Sequence, residues 1–482
     1  MGKLIATSGE IPRENLFLYT IPANTPFFDQ PWLGQWFMER LLAYFGHAGP
    51  QILRNIMTVL TWVALLGVAL QRARDPRVVG GLALLAVAAG APVFAVRTQI
   101  FAFLPFIGLL AVLFGVADTR LSRRWLLALV PLTALWANLH GTFILVPILV
   151  GLCGGALVAE HWLEERRVDF GAALGWGGAA IFTALAALLN PRGAGIYTYV
   201  YQLTVVSPMS QSVSEWQPPD ITTAYGALVV GVLLACLILL ARQRRHLRLY
   251  EVVLFAATAY LAVGSIRHMF WWAAVMLLVI PRPLGQALNL GAWWKSTTTR
   301  TQGVLHLGAA LLLVGSLVLS QPGLWGHRVG VEVLSGTARR AGPGKGLLDQ
   351  DSPTQIMQGL LQDGYPGRIF HSQSVGGYLA YELGTPIPRQ VAFVDQRMEM
   401  IPQPIWDTYF ELSEAEDGWR AVLDEYGIRT LLLAPAEQGA LIRAVQEDPD
   451  WVLVAVDEGH LLFFRADEPA HLTRWRSKPS ET

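Results

Sequence analysis

Apolar runs, each near the length a helix needs to cross a bilayer, recur through the first two-thirds of the chain. They predict ten spans, at 52–70, 78–96, 99–117, 125–137, 142–159, 171–189, 223–241, 249–266, 269–281 and 302–320. Segments 125–137 and 269–281 are short, at 13 residues each. That is about 20 Å of helix against an apolar bilayer core of about 30 Å. Each meets its neighbour at a polar knot, Asn138-Leu139-His140-Gly141 in one case and Arg267-His268 in the other. Fusing each pair into one helix would remove the knot but invert the charge alternation described next, so two crossings are kept. The knots are then expected in the outer half of the membrane, where polar groups usually line a cavity.

Charge fixes the orientation. One set of loops carries Arg72, Arg74, Arg77, Arg120, Arg123, Arg124, Arg166, Arg167, Arg242, Arg244, Arg245, Arg248, Arg282, Lys295 and Arg300. The alternate turns carry only Arg97, Arg192 and Arg267. By the positive-inside rule the first set is cytoplasmic, so residues 1–50, the loop 190–222 and everything after 321 face outward. Trp293 and Trp294 beside Lys295 read as a cytoplasmic interfacial belt.

The pattern changes past about 345. Strands read at 367–371, 391–395, 429–433, 452–456 and 460–465, and helices at 353–363, 375–383, 415–426 and 437–447. Alternating strands and helices predict a small α/β domain at 353–467, tied to the last span by a Gly-rich linker, 321–352, and followed by a tail, 468–482. Gly376-Gly377 lacks the spacing of a dinucleotide fingerprint, so no such cofactor is expected. In the first 50 residues, Trp32, Leu33, Trp36, Phe37, Leu41, Leu42 and Phe45 recur at helical spacing with Glu39 and Arg40 opposite. That pattern suits a helix lying in the membrane interface, or an amphipathic helix packed on the spans. The predicted fold class is thus an α-helical polytopic membrane protein with a C-terminal extracytoplasmic α/β domain.

Composition agrees. Of 482 residues, 53% are hydrophobic and 15% charged, where an ordinary soluble chain carries about 25% charged residues. Thirty-six basic side chains balance 36 acidic ones, so no overall field draws the chain to nucleic acid. Cys153 and Cys236 both lie in apolar runs, which suits neither a disulfide framework nor a zinc site.

Polar residues at the outer ends of the spans are the candidates for chemistry: Arg97, Gln99, Asn138, His140, Asn190, Arg192, Glu215, Gln217, Asp220, Arg267 and His268. Cations and carboxylates on one face suit an anionic head group together with a proton acceptor. Structural roles stand beside these. Arg97 also fits a snorkelling helix end, Asn190-Pro191-Arg192-Gly193 a helix stop, and Glu215 to Asp220 a rigid loop with an interfacial Trp216. His140 is the residue a short span has least structural reason to carry. Asp395-Gln396-Arg397, after a strand end, reads as an internal ion pair or loop anchor.

These residues carry a resemblance. "RTQ" at 97–99, "LWANLHGTF" at 135–143, "NPRG" at 190–193, "EWQPPD" at 215–220 and "RHMFWW" at 267–272 resemble a group of bacterial multispanning membrane proteins. "GGYLAYEL" at 376–383 and "VAFVDQR" at 391–397 resemble the outer domain of the same group. The group is similar to the GT-C superfamily of membrane glycosyltransferases. The resemblance implies transfer of a hexosyl or pentosyl unit from a polyprenyl-phosphate donor to an acceptor outside the bacterial cytoplasmic membrane, in cell-envelope glycan or glycolipid assembly. It implies donor-phosphate binding by Arg97, His140, Arg192, Arg267 and His268, with Gln99, Asn138, Asn190 and Gln217 as further site groups. It also implies a catalytic carboxylate in the first outer loop, where Asp29 stands ahead of Glu10 and Glu14, with Glu215 and Asp220 as the other candidates. The acidic motif that the superfamily carries just after its first span is absent from residues 1–50. No metal ligand set is read, and participation of a divalent ion is left open. Sugar and acceptor are not legible.

Two other readings compete: a transporter of lipid-linked glycans, and a non-catalytic membrane scaffold whose outer domain binds a partner. A transporter needs polar groups through the full membrane depth, whereas here they collect at one end. The missing acidic motif favours the scaffold. With ten crossings both termini face outward and residues 1–50 cross unsignalled, so Met1 is expected to be an internal or misassigned start with a further span upstream.

Overall fold

A computed structural model of the chain describes residues 1–46, 48–73, 75–206, 214–288, 352–384 and 389–476. It falls into two compact units, one built from residues 33–200 and 209–340, the other from 1–32, 201–208 and 341–482. A short helix α1 (Gly2–Ser8) belongs to the second unit.

In the first unit the apolar runs form helices whose starts are set by local caps. α2 spans Trp32–Phe45, α3 Ala48–Ala73, α4 Pro76–Gly90 and α5 Ile100–Ala117. After them come α6 (Leu129–Leu139), α7 (Leu145–Glu165), α8 (Phe170–Ala186) and α9 (Gly195–Tyr201). α10 (Ala224–Arg242), α11 (Leu249–Gly264), α12 (Met269–Val279) and α13 (Pro281–Ala287) complete the set. Asp75, Asp169 and Thr223 each accept a backbone N–H of the following first turn, from Arg77, Ala172 and Gly226, satisfying donors a helix start leaves orphaned. Among the described residues, six helical segments are long and apolar enough to cross a membrane: 48–73, 76–93, 100–117, 141–165, 170–189 and 224–242. The chain is thus a multi-pass membrane protein. Leu249–Gly264 and Ile266–Val279 are shorter apolar helices. The predicted span 302–320, the linker 321–351 and Trp293, Trp294 and Lys295 lie outside the described residues.

α5 and α12 are the centre of this unit; every residue of α12 is buried. Phe94, Phe103, Phe106, Phe270 and Trp271 meet there, with centroid separations of 4.5 Å for Phe94–Phe103 and 4.7 Å for Phe106–Trp271. α2 packs on the spans. A Cβ at Gly34 would stand 3.0 Å from the Leu139 carbonyl oxygen, and Phe37 meets Phe101 edge-on at 5.7 Å.

The arginine-rich end holds more than the orienting cations that the sequence suggests. Arg72 is fully buried. Its guanidinium donates to Asp118 (2.9 Å), to the Tyr250 hydroxyl (3.2 Å), to the Leu278 carbonyl (3.1 Å) and to Glu251, and it lies 4.1 Å from the Phe114 ring centroid. Arg282 reaches the same Glu251 at 3.4 Å, and Arg248 pairs with Glu160 at 2.9 Å. The ends of α3, α5, α7, α11 and α13 are thereby joined through side chains.

The second unit holds a four-stranded sheet in the order β1-β2-β4-β3: β1 (Arg368–His371), β2 (Ile428–Leu433), β3 (Trp451–Asp457) and β4 (His460–Arg465). β1 and β2 run parallel, and the other pairs are antiparallel. Helices at Thr354–Asp363, Gln373–Glu382 and Pro469–Arg476 cover it through Ile356, Leu360, Leu379, Leu432, Phe464 and Trp475. Three expectations are corrected. Residues 391–395 are no strand of this sheet. Ala392 bridges only to Leu18, because the backbone of 391–392 bonds Phe17 and Tyr19 instead of a sheet neighbour. Residues 469–476 are no tail, because Trp475 packs over Gly359 and donates its indole N–H to the Gly364 carbonyl at 3.0 Å. Gln403–Ser413 is a helix the pattern did not predict, and the helix expected over 415–426 is confined to Trp419–Glu425.

Residues 1–32 are part of this unit. Asn15 folds them into a turn by donating to the carbonyls of Leu18 (2.6 Å) and Ile21 (3.1 Å) and accepting the Leu18 N–H. Tyr19 then donates to the Ile369 carbonyl at 2.6 Å and Thr20 to that of Phe393 at 2.7 Å.

Candidate functional site

At the arginine-poor end, α6 and α11 stop where their apolar runs meet a polar residue, His140 and Ser265. α6 ends because His140 turns extended, at φ −163°. The His140 Nδ1 accepts the Thr142 N–H at 3.2 Å and lies 2.9 Å from the Thr142 hydroxyl. An Nδ1 that accepts a backbone N–H carries no proton, so the ring proton sits on Nε2, where it can donate. Asn190, buried, donates its amide to the carbonyl of Ala137 (3.0 Å) and to Asn138 Oδ1 (3.3 Å), and its own Oδ1 accepts the Arg192 N–H at 2.9 Å. Asn138 in turn donates to the Ala134 carbonyl. These two amides therefore complete the C-terminus of α6, a structural task the sequence left open.

The cations gather around one carboxylate. Glu215 pairs with Arg97 through Oε2, and its Oε1 lies 3.6 Å from the Arg267 guanidinium. Ser265 fixes the turn that carries Arg267: its hydroxyl donates to the Glu215 carbonyl at 2.9 Å and accepts the Arg267 N–H at 3.3 Å. The Ile266 N–H donates to the Gln217 carbonyl at 3.0 Å. Arg267 stands 4.7 Å from the Trp216 ring centroid, a cation–π contact. Its charge also acts on His140 and Tyr199, and Arg192 lies 5.0 Å over the Tyr199 ring.

Arg97, Arg267 and Glu215 are thus in direct contact, while Arg192 meets Tyr199. His268 is held by its backbone to Ser265. Gln99 is buried at the start of α5, with its amide nitrogen lacking a partner among the described residues. Asp220 is not brought in. Its carboxylate accepts the Thr222 N–H (2.8 Å) and hydroxyl (2.7 Å) in an exposed turn, and these bonds hold it below the usual carboxylate range. Ser265, Tyr199 and Thr142 were missed, because a lone hydroxyl beside a charged residue leaves no signal in an apolar pattern.

Asp29 lies in the second unit, 2% exposed. Burial pushes its carboxyl up to about 7, with Glu399 adding to the rise while the chain's α-amino group and Arg397 oppose it. Arg397 pairs with Asp395 at 2.5 Å and stacks on Phe17 and Phe27 at 5.2 and 5.1 Å. The expected Asp395–Arg397 ion pair is present. No three His, Cys, Asp or Glu side chains gather as a metal site among the described residues.

No family model and no curated protein sequence matches the chain. Solved structures do. The Archaeoglobus fulgidus oligosaccharyltransferase AglB, in complex with an inhibitory peptide and a dolichol-phosphate, superposes with a TM-score of 0.50 at 11% identity, over 100% of this chain and 70% of its own. The Archaeoglobus fulgidus oligosaccharyltransferase tethered to an acceptor peptide containing the NVT sequon gives 0.54 at 10% identity, over 97% of this chain and 69% of its own. ArnT from Cupriavidus metallidurans bound to undecaprenyl phosphate gives 0.47 at 15% identity, over 96% of this chain and 91% of its own. The likeness is one of fold: a helical membrane unit with a small sheet-containing unit. In that fold the chain is similar to these two oligosaccharyltransferases.

Proposed function

We propose that the chain is a membrane glycosyltransferase of the bacterial cytoplasmic membrane. In this reading it moves a sugar from a polyprenyl-phosphate donor to an extracytoplasmic acceptor in cell-envelope glycan or glycolipid assembly. The observation that carries the reading is the pair of guanidiniums at the arginine-poor end, Arg97 and Arg267, that face one partly exposed carboxylate, Glu215. In the reaction the acceptor oxygen bonds to the anomeric carbon, and the bond from that carbon to the phosphate oxygen breaks. The departing polyprenyl phosphate keeps the electron pair and gains one negative charge. Guanidinium groups aimed at that phosphate stabilise the charge as it develops. The Nε2–H of His140 supplies a neutral donor beside them.

The acceptor proton must go to a base. In the first unit both oxygens of Glu215 face arginines and Asp220 is engaged by Thr222; in the second unit, taken by itself, Asp29 has a proton affinity matched to neutral pH. The buried aromatic layer of Phe94, Phe103, Phe106, Phe270 and Trp271 speaks against the transporter reading, because it closes the bundle with apolar groups.

The test is photo-crosslinking of the chain in lipid nanodiscs with a polyprenyl-phosphate analogue carrying a photoreactive group beside the phosphate. Labelled peptides are expected from 91–99, 138–144 and 265–268, with labelling lost in Arg97→Gln. His140→Ala is expected to abolish sugar transfer while the melting temperature stays near that of the parent. Labelling confined to the arginine-rich end, or unchanged in Arg97→Gln, would refute the reading.

A further inference from the structure

Resting on the donor reading above, we infer that Glu215 is a resident counter-ion that fills the anion position between Arg97 and Arg267 and is displaced when a polyprenyl phosphate enters. The two arginines come from different turns, one between α4 and α5 and the other between α11 and α12, and each faces a different oxygen of the same carboxylate. A group so placed stands where two phosphate oxygens would bridge the same pair of guanidiniums.

The side chain is free to leave without unfolding its segment. Residues 215–217 are fastened to 265–267 by other bonds: the Ser265 hydroxyl to the Glu215 carbonyl, the Ile266 N–H to the Gln217 carbonyl, and Arg267 over the Trp216 ring. The Glu215 carboxylate is therefore not the strut of this junction. The ion pair is also open to solvent, with the Arg97 side chain 56% and the Glu215 side chain 33% exposed. An exposed pair of this kind contributes little, while a phosphate monoester brings a charge of about −1.5 to −2 and three acceptor oxygens to the same two arginines.

Displacement bears on donor and product alike. A polyprenyl-phosphate sugar is a singly charged diester, and the polyprenyl phosphate left after transfer is a monoester with one further charge. A resident carboxylate weakens both, and its return opposes retention of the spent lipid.

The experiment is titration of farnesyl phosphate into the full chain in detergent micelles at low salt, with wild type, Glu215→Gln and Glu215→Ala compared. Displacement predicts that both variants bind tighter by up to about fivefold, the factor for losing a competing exposed pair worth up to about 1 kcal/mol. Arg97→Gln added to Glu215→Gln should abolish the gain. Thermal melting of Glu215→Gln close to wild type confirms that the junction stands without the carboxylate. Equal or weaker binding in both variants, with wild type binding, overturns the counter-ion inference and leaves the donor reading standing. No binding by any of the proteins overturns the donor reading and this inference together.

Discussion

Replacing Arg72 by Met is the sharpest test of how the membrane unit is held together. Its side chain is buried and makes four hydrogen bonds, two of them to carboxylates. One of those carboxylates, Glu251, is itself only 2% exposed. Methionine fills much of the volume, so loss of packing is small and the result reports mainly on charge. Glu251 keeps Arg282 at 3.4 Å and the Arg248 N–H at 3.0 Å, and Asp118 keeps Arg120 at 2.9 Å. The remaining partners are weaker than the one removed. Stripping one member from a buried ion pair costs about 3–5 kcal/mol, because the other charge stays buried without compensation.

Unfolding of the purified chain in mixed micelles with rising SDS fraction reads this loss directly. Arg72→Met is expected to lose about 3–5 kcal/mol, and Arg72→Lys less, since an ammonium keeps the charge but not the planar fork. Arg72→Met combined with Glu251→Gln should recover a large part of the loss, because the uncompensated charge goes with it. A loss under about 1 kcal/mol in Arg72→Met, the value of an exposed pair, would show that water reaches the cluster and that the reasoning from burial is wrong. A double variant worse than the single would do the same.

Asp29→Asn should flatten the pH dependence of stability. Asp29 titrates at about 7 when folded against an ordinary 3.8, so between those values the folded chain holds a proton that the unfolded chain has lost. Stability therefore falls as pH rises from about 4 to about 7 and is level above, with a ceiling near 4 kcal/mol at about 1.4 kcal/mol per unit; denaturation at pH 5 and pH 8 measures the difference, which should vanish in the variant. Gly376→Ala should destabilise the second unit by about 1–3 kcal/mol, because the new Cβ would stand 2.2 Å from the Val394 carbonyl oxygen. Gly377→Ala is its control: nothing lies within 4 Å of that position, so thermal melting should show no loss and a gain of up to about 1 kcal/mol from helix propensity.

Much of the helical unit was legible because bilayer-length apolar runs have few alternatives. Helices α3, α5 and α10 lie where the hydropathy pattern places them, and α2 spans 32–45 as its aromatic spacing implies. The polar residues of the arginine-poor end were legible for the same reason: a charge inside an apolar sequence stands out. What they do with one another was not. Nothing in the sequence says that Asn190 caps α6 while Glu215, 118 residues from Arg97, pairs with it. The role of Arg72 was hidden by its surroundings, since an arginine at a helix end in an arginine-rich loop already has an explanation in the membrane orientation expected from sequence. The membership of residues 1–32 in the second unit was least visible. It depends on Tyr19 and Thr20, in the turn that Asn15 folds, meeting residues 350 and 373 positions away, and no local pattern encodes such a pairing.

The two ends of the helical unit use the same residue types for opposite purposes, and the difference lies in how completely charge is matched. At the arginine-rich end Arg72, Arg120, Arg248 and Arg282 face Asp118, Glu160 and Glu251, and the most buried of these groups are bonded on several sides. Such a network has little to offer an incoming anion, because a ligand would have to break bonds already made in a low-dielectric setting. At the arginine-poor end Arg97 and Arg267 share one carboxylate, Glu215, the Arg97 side chain is more than half exposed, and a cation–π contact with Trp216 orients Arg267. Partly exposed, oriented guanidiniums suit a phosphate better than a buried, fully bonded network does. The saturated end holds the helices in register so that the unsaturated end keeps its spacing, and this separation of tasks is why Arg72→Met is expected to lower stability and Arg97→Gln to lower anion binding, each with little of the other effect.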